Sequence, residues 1–189
     1  MRVIVWLAVV LVAIGASVCG WAYSGSYDVA ADVPHWKVTS EFMDLVRDQS
    51  IAARSASLQV PGLDDPQLIS MGAAHYSEMC VVCHRAPGVA ESEMRQGLYP
   101  QPPDLTRGSP PPAESFWVIK HGIKMTGMPA WGKTHDDHKI WAMVAFLQKL
   151  PTLDAASYEA LTRSAPAADD DDDHDHDADS SAEAPSHRH

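Results

Sequence analysis

Cys80-Val81-Val82-Cys83-His84 is the stretch on which the reading of this chain turns. Two thiols separated by two residues lie on one turn, and an imidazole follows at once. This C-x-x-C-H spacing suits covalent attachment of a haem: each sulfur adds to one vinyl group of the porphyrin, and the adjacent histidine becomes an axial iron ligand. Attachment of this kind lets much of a small domain be built around the cofactor. Two other chemistries compete for the same residues. A redox C-x-x-C would follow a strand in a β-α-β setting, whereas a helical pattern precedes it here. A structural zinc site needs a second ligand pair, and the remaining cysteine, Cys19, stands alone in an apolar run. An odd cysteine count, two of them in one tight pattern, also argues against a disulfide framework.

Downstream, Gly127-Met128-Pro129 lies 44 residues after His84. A thioether is soft, neutral and suited to ferrous iron, and a Met/His pair raises the reduction potential. Met125 is a rival for the same role, and His121 would give a bis-histidine centre. Met128 could also simply fill core.

Around this centre the chain divides into four parts. The 20 residues from Val3 to Ala22 are almost all apolar or small, with Arg2 ahead and no charge until Asp28. That length matches the hydrocarbon thickness of a bilayer, and Arg2 stays on the cytoplasmic side. Residues 1–23 are therefore read as a membrane anchor that delivers the rest to the periplasmic (extracytoplasmic) side. A cleaved signal peptide would end near Ser24-Gly25-Ser26 or Val29-Ala30-Ala31, and Cys19 would be the acceptor of a lipidated N-terminus. All three readings send the body of the protein to the same compartment. Residues 24–64 form a connector with an amphipathic helix, which Ser40 caps and which runs to about Ala56. Phe42, Leu45, Val46, Gln49, Ala52 and Ala53 share its apolar face, packed on the following domain or lying near the bilayer. Pro61-Gly62 breaks it.

Residues 65–151 carry the motifs. Asp65-Pro66 starts a helix that should run to about Met79. The stretch from Arg85 to Pro112 holds seven prolines, so it is neither regular helix nor central strand and must wrap something. Ser109 and the prolines after it cap a short helix over Ala113 to Lys120, with Gly122 as its stop. Thr134 caps a last helix, with Asp137 completing a capping box. Ile140, Met143, Val144 and Leu147 make its apolar face, and Pro151 ends it. Short helices with long connections suit a small core around a large bound object.

Residues 152–189 are expected to be a disordered tail, because beyond Arg163 they lack large apolar side chains. Of the formal net charge of -11, nine acidic residues and Arg188 between Ser164 and His189 account for -8, leaving -3 for everything before. The body has no basic stripe, which excludes nucleic acid as a partner. The tail mixes imidazoles and carboxylates, and His174 and His176 are candidates for a weak divalent-metal site; the plainer reading is a solvating acidic tail. His35, His75, His121, His135 and His138 are scattered among polar residues and expected in solvent, with His135 and His138 a weak metal pair at most.

From Asp65 to Pro151 the sequence resembles the class I cytochrome c domain, particularly its single-haem, membrane-anchored forms. Gly72-x-x-x-Tyr76 is similar to that family's first helix, where glycine lets the last helix cross closely. Cys80 to His84 matches its attachment site, and Gly122 to Trp131 its methionine-ligand loop. Ala145-Phe146-Leu147 matches the aromatic-bearing seam of the last helix. The resemblance implies an all-α fold wrapped around one haem c, with Cys80 and Cys83 covalently attached, His84 the proximal ligand and Met128 the distal ligand. It also implies that Pro100, Pro102 or Pro103 offers a carbonyl to Nδ1 of His84. Leu105, Trp117, Ile119 and Trp131 are candidates for the haem wall, and Arg107 for a propionate partner. The function expected is single-electron transfer, as a tethered carrier or as the cytochrome subunit of a respiratory or dehydrogenase complex, and not an enzyme on its own. A haem protein with a labile sixth ligand, or a metal-handling protein acting through its tail, are the other classes.

Overall fold

The computed structural model describes residues 1–165, and among these the regular structure is helical, with no strand. In chain order it comprises α1 (Arg2–Tyr23), α2 (Lys37–Ser55), α3 (Pro66–His75), α4 (Val81–His84), α5 (Glu93–Gln96), α6 (Pro112–His121), α7 (Asp137–Lys149) and α8 (Ala155–Ser164). Helix α1 is long and apolar enough to cross a membrane, and none of its residues is buried.

The core is made where α3 and α7 cross. Asp65 caps α3 by accepting from the Gln67 amide, and Pro66 opens its first turn, where a missing amide proton costs nothing. Helix α7 is buried almost all round: Ala142, Val144, Ala145 and Phe146 are fully inaccessible. The two backbones touch because Gly72 lacks a side chain; a Cβ there would sit 2.0 Å from the Ala142 carbonyl oxygen. Tyr76 packs on Phe146 at 5.1 Å, and α6 adds Phe116, stacked on Trp141 at 4.2 Å. Ile140, Met143, Val144 and Leu147, expected to face inward, are all buried.

Several helix ends differ from the sequence expectation. Helix α3 does not stop near Met79. It widens into a π-helical segment, Tyr76–Cys80, and continues as α4, so the attachment motif rides on the helix instead of following it. Inserted π turns of this kind recur at functional sites. The chain leaves α4 abruptly at Arg85 (φ 68°, ψ 166°), a conformation that costs a non-glycine residue about 1–3 kcal/mol. Tyr76 Oη, donating to the Arg85 carbonyl at 2.5 Å, and the Arg85–Asp104 ion pair at 3.3 Å hold it there.

Ser109 does not cap α6; Pro111 holds that position, and the Ser109 hydroxyl accepts from the Gln148 amide at 2.9 Å. Asp136, not Thr134, caps α7 by accepting from the Lys139 amide at 2.8 Å. A carboxylate two residues nearer the helix wins over a hydroxyl that already closes the 3₁₀ turn Trp131–Lys133.

Two larger corrections concern the flanks. Helix α2 starts at Lys37 with Trp36 before it, so Ser40 is not its cap. It packs on the domain through Ile51 and Ser55, while Phe42, Leu45 and Val46 are 61%, 57% and 46% exposed. After Pro151, residues 155–164 are not disordered but form α8. Asp154 caps it, and its one large buried side chain, Tyr158, rests 6.3 Å from Phe146. Leu153 and Leu161, partly buried, pack against the same core beside it.

Candidate haem site

A cavity of about 630 Å³ opens between α4, α6, α7, the inner face of α2 and the loops that join them. It falls within the roughly 300–1,000 Å³ typical of cofactor pockets. Cys80, Cys83, His84 and Met128 all border it. Cys80 closes the π segment, and the single turn of α4 that follows it supplies Cys83 and His84.

His84 is held from behind. Its Nδ1 lies 3.0 Å from the Pro103 carbonyl; a carbonyl can only accept, so Nδ1 carries the proton and Nε2 keeps its lone pair. Pro103 is thus the one of the three candidate prolines that makes this bond. The Leu105 amide donates to the His84 carbonyl at 3.2 Å and fixes the same loop to the helix. Burial pushes the His84 pKa down, against the opposing pull of the Pro103 bond. The imidazole is therefore neutral at neutral pH, the form that ligates a metal. Burial likewise pushes the Cys80 thiol up to about 12, with Cys83 adding to it. No disulfide joins the two cysteines, and Cys83 Sγ lies 3.9 Å from Met94 Sδ, which also borders the cavity.

Met128 is positioned by a compact loop. Gly122 (φ 64°) ends α6 in a conformation that favours glycine, and a Cβ there would sit 2.7 Å from the Met128 carbonyl. The Ile123 amide donates to that carbonyl at 3.3 Å, and the Met128 amide donates to Thr126 Oγ1 at 3.1 Å. Gly127 packs against Leu98, whose Cδ2 a Cβ would meet at 2.8 Å. The rivals are elsewhere: Met125 is 96% exposed, and His121 is exposed with its ring on Trp117 at 5.0 Å. Neither borders the cavity.

Leu105, Ile119 and Trp131 line the cavity, whereas Trp117 does not. Arg107 faces solvent and pairs with Asp104 at 3.6 Å, so it is no cavity cation. The charged groups that do border the site come from α2 and, with Glu114, from α6. Arg47 and Asp48, with Ile51, line it, and Arg47 is bonded to Asp44 at 2.7 Å and Asp48 at 2.8 Å. Nothing in the C-x-x-C-H pattern points to a helix this far upstream, and its periodicity left open whether the apolar face meets the domain or the bilayer. Arg95 was also missed. It is buried, pairs with Glu91 at 3.3 Å, and its Nη1 makes no hydrogen bond among the described residues. His75, expected in solvent, is buried with its ring 5.2 Å from His135. No group of three or more metal-ligating side chains is assembled among the described residues; His174 and His176 lie outside them.

The residues fit a covalently held haem: two thiols, a neutral imidazole with its outer nitrogen bonded, and a thioether border one largely apolar cavity. The sequence from 67 to 147 matches the family described as cytochrome c oxidase, cbb3-type, subunit III. Residues 67–147 are a class I cytochrome c domain. No curated protein and no solved structure gives a significant match to the chain. A cytochrome c domain implies a covalently bound haem and haem-based electron transfer. The matched stretch spans both the attachment motif and the Met128 loop, and it leaves out α1, α2 and α8.

Proposed function

We propose that this chain is a single-haem electron carrier tethered to a membrane by α1, with its cytochrome c domain on the extracytoplasmic side. The observation that carries the proposal is one cavity bordered by Cys80, Cys83, His84 and Met128. In this reading Cys80 and Cys83 form the two thioether links, His84 is the proximal ligand and Met128 the distal one. When bound, the haem supplies an iron that takes up and releases one electron. The protein's own part is to orient and to exclude. The Pro103 carbonyl fixes the His84 ring, the Thr126 bond fixes the Met128 backbone, and Leu105, Ile119 and Trp131 keep water from the apolar interior. Nothing is chemically transformed, so the chain is not an enzyme by itself.

The functional unit is taken as residues 65–151, with α8 completing its core. The matched family's description names a subunit of an oxidase, which supports a place in a larger membrane complex or a role delivering electrons to one. Redox partners then dock transiently near the cavity, where interfaces fall below about 1,200 Å².

The test is Met128→Ala in the haem-loaded, full-length protein. Removing the thioether should lower the reduction potential and open the sixth position to CO. An unchanged potential together with refusal of CO would exclude Met128 as the ligand.

A further inference from the structure

Helix α2 divides its residues in an unusual way. At 3.6 residues per turn, Val38, Phe42, Leu45 and Val46 fall on one face, and all four are exposed. Its charged residues avoid that face. Lys37 pairs with Glu41 at 3.7 Å, and Arg47 pairs with Asp44 and Asp48 on the side turned toward the domain. The helix thus presents an uncharged apolar strip outward and uses its polar side to wall the cavity.

What covers that strip is indicated by where α2 begins. Trp21, near the end of α1, lies 5.7 Å from Tyr27 and 6.1 Å from Trp36, the residue that precedes α2. Tyr27 and Trp36 are 5.9 Å apart, and His35 stacks on Tyr27. His35 is in turn tied to the domain, its amide donating to Tyr99 Oη at 3.1 Å. Clusters of Trp and Tyr at the end of a spanning helix sit at the membrane–water boundary. The first turn of α2 is therefore fixed at headgroup depth, continuous with the anchor.

We infer that α2 lies on the bilayer with Val38, Phe42, Leu45 and Val46 in its interfacial layer, so that the haem cavity is held one helix-thickness from the membrane surface. The inference rests on the reading of α1 as a spanning helix. A helix of balanced charge on such a surface binds through apolar area, not through attraction to anionic lipid.

The experiment uses full-length, haem-loaded protein in lipid nanodiscs, with Cys19→Ser as background. Nitroxide labels are placed singly through Leu11→Cys, Phe42→Cys, Val46→Cys and Val89→Cys, and collisions with oxygen and with a water-soluble nickel chelate are compared. Labels at 11, 42 and 46 should favour oxygen, and the label at the exposed loop position 89 should favour the chelate. If 11 favours oxygen while 42 and 46 behave like 89, the bilayer does not cover this face; it is left for a protein partner and the inference is overturned. If 11 also meets the chelate, the spanning reading fails and the inference falls with it.

Discussion

Phe146 in α7 and Phe42 in α2 are both large apolar side chains on helices, yet Phe146 is fully buried and Phe42 is 61% exposed. Helix α7 is buried almost all round, and its Ala142 and Phe146 meet α3 at the Gly72 contact. In α2 the apolar face turns away from the domain, and a face carrying Arg47, Asp48, Ile51 and Ser55 packs inward. Periodicity reports which side of a helix is apolar. It does not report what that side meets, because a bilayer or a partner can bury it as well as a core can.

Substitutions in the two helices should separate sharply. Phe146→Ala should cost about 3–5 kcal/mol, the usual result of emptying a core aromatic site, read as a lower urea midpoint at unchanged slope. Gly72→Ala comes next, at about 1–3 kcal/mol or more, because its Cβ must displace the backbone of α7. Gly72→Val should be worse, and a tolerated Gly72→Val would break the claim that the two backbones touch. Asp65→Ala should cost about 1 kcal/mol, the worth of one helix cap. Phe42→Ser should change the stability of the detergent-solubilised protein by less than about 0.5 kcal/mol. A loss there comparable to that of Phe146→Ala would mean α2 buries its apolar face after all.

The same contrast explains what the sequence made legible. The C-x-x-C-H pattern pointed to Cys80, Cys83 and His84, which all border the cavity, because the spacing itself is chemical, and Asp65-Pro66 gave a true helix start, because an N-cap and a proline act locally. The crossing at Gly72 came from resemblance, as did the choice of Met128 over Met125 and His121, since both depend on residues far apart in the chain. Helix ends were misjudged where two caps compete within three residues, as with Thr134 and Asp136. Helix α8 was missed because Tyr158, Leu153 and Leu161 settle it on the core, and such tertiary contacts leave no local pattern. Arg47 and Arg95 were missed for the same reason, and Arg107, named as a propionate partner, faces solvent beside Asp104. His75 looked solvated beside its polar neighbours, yet it is buried against His135.

The most direct test of the central claim is an absorption spectrum of the purified full-length protein, oxidised and reduced, with and without CO. The account predicts a c-type reduced spectrum, a weak sulfur-to-iron band toward the red in the oxidised form, and no response to CO. Ready CO binding without that band would contradict Met128 ligation and turn the reading toward a ligand-binding or catalytic haem protein.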